Sequence, residues 1–177
     1  MGVLASLVAN QALVRLVRRR AAADAAARWL ELGSGIGNFT LPLAFESEHV
    51  VAVENDPRAL AGLERSLAEA DLTKKVSLIR ANMHRKDLGL LHLFKNIDAV
   101  LADPPRSGLG NLLGVLEAVP DKERPPTFLY VSCFAESLAK DCARLHALGY
   151  RVVQAEGLDQ FPQSKHCEWV LQLGLME

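Results

Sequence analysis

The sequence WLELGSGIGN, which runs from Trp29 to Asn38, decides the fold of this chain. Its first four residues form a short apolar stretch typical of a buried β-strand, and three glycines follow at alternate positions. Glycine permits the sharp turn that joins a strand to a helix, and it lets a ligand approach the backbone closely. The stretch therefore predicts a strand, a ligand-binding turn and a helix in succession, although a plain strand-to-helix turn would use the same residues.

Strands and helices alternate on both sides of this turn. A helix is predicted before it, over residues 3–28, from apolar residues at helical spacing. Further helices are predicted at 39–45, about 57–70, 112–119 and 136–148, and strands at 49–54, 76–80, 97–102 and 127–132. Two final strands, at 150–158 and 166–173, have no helix between them. The pattern predicts a single α/β domain with a mostly parallel, Rossmann-like sheet and a C-terminal antiparallel hairpin at its edge.

The composition is that of an ordinary globular protein. Half of the 177 residues are apolar, 23% are charged, and the formal net charge is -1. The three cysteines, Cys133, Cys142 and Cys167, are too scattered for a disulfide framework or a four-cysteine metal site. The N-terminus has the reverse of the charge order of a signal peptide, and no apolar run reaches membrane-spanning length. We expect a cytoplasmic protein without metal or membrane association.

Basic residues cluster near the N-terminus, at Arg15, Arg18, Arg19 and Arg20. Such a cluster can contact the phosphates of a nucleic acid, and it can equally form the solvated face of a helix. The chain as a whole lacks the basic excess that is common in nucleic-acid-binding proteins. The sequence leaves both interpretations open.

Glu54 closes the second predicted strand, 21 residues after Gly33. An acid in that place accepts hydrogen bonds from the ribose hydroxyls of a bound nucleotide. The dinucleotide fingerprint requires a third glycine at position 38, where this chain has Asn38. A glycine turn with no pyrophosphate to hold fits S-adenosylmethionine better than NAD. Asn82, after the third strand, is placed either to reach the adenine or to form a turn.

Asp103-Pro104-Pro105-Arg106 follows the fourth predicted strand. Two successive prolines make a rigid platform, and Asp103 is then expected to point into the ligand cleft. Enzymes that methylate exocyclic amines resemble one another in placing an aromatic residue after the prolines, and RNA cytosine-5 methyltransferases place a cysteine in this motif. Arg106 here matches neither pattern. The cofactor-binding residues predicted so far are Gly33, Gly35, Gly37, Asn38, Glu54, Asn82 and Asp103.

Cys133 lies just past the fifth strand and before a helix, on the side where a cofactor is expected. Free cysteine is most often a small buried hydrophobe, but a helix N-terminus favours the thiolate. Cys142, within a helix, and Cys167, within an edge strand, are interpreted as structural. A thiolate in this cleft can attack C6 of uracil, so that C5 becomes nucleophilic enough to accept a methyl group. A general base must then remove the C5 proton, and Glu168 is the candidate.

Five segments together resemble the RNA uracil-5 methyltransferase family, which acts on tRNA and ribosomal RNA. They are LELGSGIGNFTLPLA (30–44), VVAVENDPRAL (50–60), VLADPPRSGL (100–109), LYVSC (129–133) and LDQFPQSKHCEWV (158–170). The resemblance implies a Rossmann-like, S-adenosylmethionine-dependent methyltransferase fold, with a helical segment at 1–28 and the catalytic domain at 29–177. It implies Cys133 as nucleophile, Glu168 as base and Asp103 at the substrate base, with Pro104 and Arg106 as substrate-binding neighbours. The target uridine would be flipped out of its RNA context.

The chain also departs from the family pattern. The residue after the nucleophile is usually asparagine and here is Phe134, and Gly33-Ser34 replace a usual Phe-Cys pair. An N-terminal RNA-binding barrel, the cysteines of an iron–sulfur cluster and a Phe-x-Gln segment do not occur. Two alternatives to RNA uracil-5 methylation therefore stay open: a cofactor-binding domain or fragment that is inactive alone, and a methyltransferase for another acceptor. The partners expected are RNA and a missing N-terminal RNA-binding domain.

Overall fold

The structure, a computed structural model, describes residues 7–24, 26–82, 88–159 and 167–176. The helices are α1 (Leu7–Asp24), α2 (Thr40–Glu46), α3 (Pro57–Glu69), α4 (Asn111–Ala118) and α5 (Ala135–Ala147). The strands are β1 (Arg28–Leu32), β2 (His49–Glu54), β3 (Val76–Arg80), β4 (Ala99–Ala102), β5 (Thr127–Ser132), β6 (Tyr150–Leu158) and β7 (Glu168–Leu175). Short 3-10 helices cover Leu88–Phe94 and Asp121–Glu123.

The seven described strands form one sheet in the order β3-β2-β1-β4-β5-β7-β6. The first five are parallel, whereas β7 runs antiparallel to both β5 and β6. The predicted mostly parallel sheet and its C-terminal antiparallel hairpin are therefore confirmed. One detail differs: β7 lies inside the sheet and β6 forms its edge, so the placement of Cys167 within an edge strand is wrong. Cys167 directly precedes an interior strand.

Helices cover both faces of the sheet, because the buried strands are apolar on both sides. One core lies under α1, α2 and α3 and includes Leu16, Trp29 and Leu63. The other lies under α4 and α5 and includes Leu113 and Tyr130. Since α1 contributes to the first core, the segment before the glycine turn packs against the same sheet as the rest of the chain.

Local signals explain most element boundaries. Asp56 caps α3, with its side chain accepting a 2.8 Å hydrogen bond from the backbone N–H of Arg58 and proline in the first turn, as predicted. Helix α1 ends four residues earlier than predicted because Arg28 pairs with His49 at the start of the sheet. Strand β7 lies two residues later than predicted, and the 3-10 helix at Leu88–Phe94 was not predicted. The predicted helical residues 3–6 and the strand residue 166 lie outside the described residues.

The chain order reverses between β1 and β4, which pair with each other at the centre of the sheet. From β1 the chain continues outward to β2 and β3 on one side, whereas β4 and β5 follow on the other. The connections diverge there, so a crevice opens beyond the carboxyl ends of these strands, where open α/β sheets bind their ligands.

Candidate active site

The crevice at the carboxyl edge of the sheet collects the residues predicted from the sequence. The glycine turn follows β1, Glu54 ends β2, Asn82 follows β3, Asp103 follows β4 and Cys133 follows β5. Glu168 reaches the same edge from the opposite direction, because it begins the antiparallel strand β7. Only the sheet order, and not the spacing in the sequence, places this last residue beside the others.

The glycine turn adopts a backbone that other residues rarely take. Gly33, Gly35 and Gly37 have φ angles of 88°, 54° and 99°, in the left-handed region that favours glycine. The N–H of Gly33 donates a 2.9 Å hydrogen bond to the carbonyl of Val53, which ties the turn to β2. A Cβ at Gly37 would lie 2.5 Å from Leu63 Cδ1, whereas a Cβ at Gly35 would meet no atom within 4 Å. Gly37 therefore serves packing, and Gly35 leaves open space for a ligand.

Glu54 braces this turn in addition to any role toward a ligand. Its Oε2 accepts a 3.0 Å hydrogen bond from the N–H of Gly35, and its Oε1 accepts bonds of 2.6 and 2.8 Å from the N–H groups of Asn55 and Asp56. A carboxylate offers about four acceptor positions, so one remains for a ribose hydroxyl. The predicted ribose contact stays a prediction.

Asn38 has a partner that the sequence did not suggest. Its amide and that of Asn10 on α1 exchange two hydrogen bonds of 2.9 and 3.0 Å. Each amide still has one N–H and one acceptor position, and a cofactor contact by Asn38 stays a prediction. The pair also fastens α1 to the glycine turn.

Glu31 on β1 is a buried acid behind the glycine turn. It is fully excluded from solvent, and among the described residues its two carboxylate oxygens have no hydrogen-bond partner. Burial raises the pKa of Glu31 to about 8, and the carboxylates of Asp103 and Glu54 add to the rise. The Thr40 hydroxyl lowers this pKa by more than either carboxylate raises it, although its geometry falls short of a hydrogen bond. Glu31 is therefore mostly protonated at neutral pH.

Asp103 is exposed at the mouth of the crevice, although protein encloses it on the remaining sides. This enclosure, with the negative charge of Glu168, raises the pKa of Asp103 to about 7. Because water still reaches the carboxyl group, the rise is largest when a ligand covers the mouth. Asp103 thus lies near Glu168, as the predicted site requires.

Cys133, Glu168 and Arg106 form the reacting end of the crevice. Ser132 pairs with Trp169 across β5 and β7, so the residues next to them, Cys133 and Glu168, are neighbours. Burial and the Glu168 carboxylate raise the pKa of Cys133, and the adjacent Arg106 guanidinium opposes that rise. Burial also raises the pKa of Glu168, again opposed by Arg106.

Two predictions are extended by this geometry. Cys133 precedes α5, as predicted, while burial and the Glu168 carboxylate raise its pKa, so the preference of the helix N-terminus for the thiolate stays a prediction. Arg106, predicted as a substrate-binding residue, lies against the thiol and the carboxylate themselves. Among the described residues, the Arg106 guanidinium is placed to offset the negative charges of both the Cys133 thiolate and the Glu168 carboxylate.

An acid that was not predicted from the sequence supports this arrangement. Asp141 on α5 is buried, and its Oδ2 accepts hydrogen bonds of 2.7 Å from the Leu109 N–H and 2.5 Å from the Tyr130 hydroxyl. The bond from Leu109 anchors the loop that follows the two prolines, while burial and the bond to Asp141 raise the pKa of Tyr130. The signal was available: Asp141 falls between Leu138 and Leu145 on the buried stripe of its helix, where an unpaired acid would be costly.

Comparison with known proteins identifies the family. The family model described as tRNA (uracil-5-)-methyltransferase matches residues 8–174 of the 177-residue chain. The chain belongs to the tRNA (uracil-5-)-methyltransferase family. A tRNA (uracil-54, C5)-methyltransferase of Pyrococcus abyssi, solved with S-adenosyl-L-homocysteine, superposes with a TM-score of 0.73 and 28% identity. The superposition covers 90% of this chain and 37% of that one, and it confirms the predicted methyltransferase fold.

Curated relatives give the same family assignment and show its extent. An uncharacterized RNA methyltransferase of Bdellovibrio bacteriovorus is 42% identical over 86% of this chain and 39% of its own length. The 23S rRNA (uracil(1939)-C(5))-methyltransferase of Shewanella frigidimarina is 35% identical over 90% of this chain and 34% of its own. This member of the uracil-5 methyltransferase family thus spans between a third and two fifths of the length of these two relatives.

The N-terminal arginines of this family member are mostly paired with acids. Arg18 pairs with Glu46, while Arg19 and Arg20 both pair with Glu156. Their charges are partly neutralised within the protein, which favours the solvated helix face over a phosphate contact. The phosphate interpretation is thus weakened, although exposed ion pairs of this kind exchange readily with solvent.

Two further features of the described chain concern membrane-spanning helices and metal sites. No helix within it has both the length and the apolar character to cross a membrane. Among the same residues, no three His, Cys, Asp or Glu side chains gather as metal ligands would. The residues 160–166, which the sequence assigns to the loop before Glu168, lie outside the described part.

Proposed function

We propose that this chain is the catalytic domain of an S-adenosylmethionine-dependent RNA methyltransferase that methylates C5 of uridine in tRNA or ribosomal RNA. The observation that carries the proposal is the meeting of Cys133, Glu168, Arg106 and Asp103 beside an open glycine turn. The family and the relatives' named reactions on tRNA and 23S rRNA support the same choice of acceptor.

The described residues fit the cofactor. The open space at Gly35 admits a close ligand, and Glu54, bonded to that turn, retains one acceptor position for a ribose hydroxyl. Gly33, Gly37 and Asn82 complete the edge that would hold the nucleoside, and Asp103 lies where the cofactor and the base would meet. The cofactor supplies an electrophilic methyl group on a sulfonium.

The residues of the chain account for the remaining steps. The Cys133 thiolate forms a bond to C6 of the uracil, and the electrons of the C5–C6 double bond move toward the O4 carbonyl as an enolate. Arg106 offsets the negative charge of the thiolate before attack. After C5 has been methylated, Glu168 removes the C5 proton, the double bond re-forms, and the C6–sulfur bond breaks to release Cys133.

Asp103 has a distinct role in this scheme. When the base covers the crevice, the raised pKa of Asp103 keeps a proton on its carboxyl group, so that it can donate a hydrogen bond. A donor beside the uracil would stabilise the oxygen that gains charge as the adduct forms. Pro104 holds this acid in place because its ring restricts the backbone of Asp103.

A covalent trap tests the proposal. RNA containing 5-fluorouridine, incubated with the protein and S-adenosylmethionine, should form an adduct that survives denaturation, because fluorine cannot be removed as a proton. Cys133→Ala should abolish the adduct, and Cys142→Ala, which alters a cysteine within α5 that packs against the core, should leave it intact. An adduct in Cys133→Ala would contradict the assignment of the nucleophile.

A second candidate function follows from the length of the chain, which is about a third of that of the 23S rRNA relative. The domain would then bind the cofactor but require further segments to hold RNA. Calorimetric binding of S-adenosylmethionine without any adduct on a pool of tRNA and ribosomal RNA would select this candidate over the first.

A further inference from the structure

A cavity of about 250 Å³ adjoins the reacting end of the crevice. It lies between the loop after the two prolines and the first turns of α5, and Arg106, Phe134, Ser137 and Lys140 line it. The mechanism above uses Arg106 but none of the other three. Because Phe134 directly follows Cys133, the cavity lies beside the nucleophile.

Within the described part of the chain, neither hydrophobic core accounts for an aromatic ring at Phe134. It is half-buried, and neither core cluster of the described chain includes it. Its backbone is fixed on both sides: its N–H donates to Ser132 Oγ at 3.2 Å, and its carbonyl accepts from Ser137 Oγ at 3.1 Å. The ring is therefore held beside the nucleophile without contributing to either core.

The charges around the cavity suit a phosphate next to a base. Lys140 is exposed, and within the described part of the chain it makes no ion pair. Of the two acids on the lining, Asp141 is buried and bonded to Tyr130, so its charge is not presented to a ligand. Glu136 is exposed and disfavours an entirely anionic ligand. A nucleotide satisfies both conditions, because its one phosphate suits the cation Lys140 and its flat apolar base adds no negative charge near Glu136.

We propose that this cavity binds the nucleotide adjoining the target uridine, with Phe134 stacked on its base and Lys140 near its phosphate. Proteins that hold single-stranded RNA commonly stack unpaired bases on aromatic rings, and stacking tolerates every base. The contact therefore adds affinity and fixes the direction of the strand next to Cys133. The inference rests on the proposed function, since the neighbour is defined by the uridine at the nucleophile.

Short single-stranded RNAs test the stacking. One set carries 2-aminopurine on the 5′ or the 3′ side of the uridine, because its fluorescence falls when it stacks. The wild type should quench the probe on one side, Phe134→Trp should retain the quenching, and Phe134→Leu should lose it. A second set replaces the same neighbour by an abasic residue, which should weaken wild-type binding roughly 5- to 150-fold, the range for one stacked base.

The comparison between variants separates stacking from general damage. Phe134→Leu should bind the intact RNA as weakly as the wild type binds the abasic RNA, and removing the base should cost this variant nothing more. Lys140→Met should lower the salt dependence of binding by about one phosphate contact. Lys122→Met, at the opposite edge of the sheet, should not.

The results also distinguish this inference from the proposed function. Equal binding of intact and abasic RNA by the wild type, together with a normal 5-fluorouridine adduct, would overturn the cavity proposal alone. Failure of every RNA to form an adduct with Cys133 would overturn the function on which it rests. If Phe134→Leu weakened binding of the intact and the abasic RNA by the same factor, the ring would contribute to folding and not to contact with the base.

Discussion

Replacing Glu31 by glutamine should change how the stability of the protein depends on pH. Glu31 is completely buried, with no hydrogen-bond partner for its carboxylate among the described residues, and its pKa is about 8 against 4.5 in an exposed chain. Between these two values the folded protein keeps a proton that the unfolded chain releases. The contribution of Glu31 to the free energy of unfolding is therefore greatest in acid and falls as the pH rises to 8.

The magnitude follows from the two pKa values. One group with this shift makes the free energy of unfolding about 3 kcal/mol lower at pH 8 than at pH 5.5, to within about 1 kcal/mol. Glutamine has nearly the same shape and cannot ionise, so Glu31→Gln should lack this loss. Subtracting the free energy of unfolding of the wild type from that of the variant removes the contributions of other titrating groups, because both proteins share them.

Urea unfolding at pH 5.5, 6.5, 7.5 and 8 measures the effect. The variant should be close to the wild type in acid and more stable than it by about 3 kcal/mol at pH 8. Glu69→Gln, which alters an exposed carboxylate on α3, serves as the matched control and should follow the wild type throughout. Parallel curves for Glu31→Gln and the wild type from pH 5.5 to 8 would refute the reasoning.

Three more results are expected. Arg106→Gln should raise the pKa of Cys133 and slow its alkylation by iodoacetamide at neutral pH, since the opposing positive charge is lost; an unchanged pH profile would contradict the contact. Glu168→Gln should lower the pKa of Cys133 and speed its alkylation, because a neighbouring negative charge is lost. Slower alkylation would contradict this effect of Glu168. Gly108→Ala should cost about 2 kcal/mol of stability, because φ is +80° and its Cβ would overlap a carboxylate on α5. Gly110→Ala, with φ of +51° but open space around the added Cβ, should cost less stability. Equal losses of unfolding free energy in urea would contradict the overlap at Gly108.

The parts of the fold that local chemistry determines were predictable. Glycines at alternate positions permit the positive-φ turn that follows β1, and the Asp56-Pro57 pair begins a helix with its own cap. The strands at 49–54, 76–80 and 127–132 have the predicted bounds, because each is a short run of apolar residues between polar ends. The edge of the sheet where the site lies followed from the strand order that such alternation imposes.

Long-range effects were not predictable. Whether β7 pairs beside β5 or at the edge depends on contacts between residues some 40 positions apart, which no local pattern records. The same is true of the amide pair between Asn10 and Asn38, and of the carboxylate of Asp141 under the proline loop. The pKa of Cys133 depends on how deeply the thiol is buried and on which charges surround it. Its position before a helix was therefore not enough to predict the direction of the pKa shift.

The insertion of β7 between β5 and β6 has a consequence for the time at which the site forms. Strand β6 pairs only with β7 among the described strands, so it cannot join the sheet while the last strand is still being synthesised. Until β7 pairs with β5, Cys133 lacks Glu168 beside it, so the reacting centre is complete only when this last described strand joins the sheet. A chain released before residue 168 would carry the nucleophile and the cofactor turn but never the completed pair.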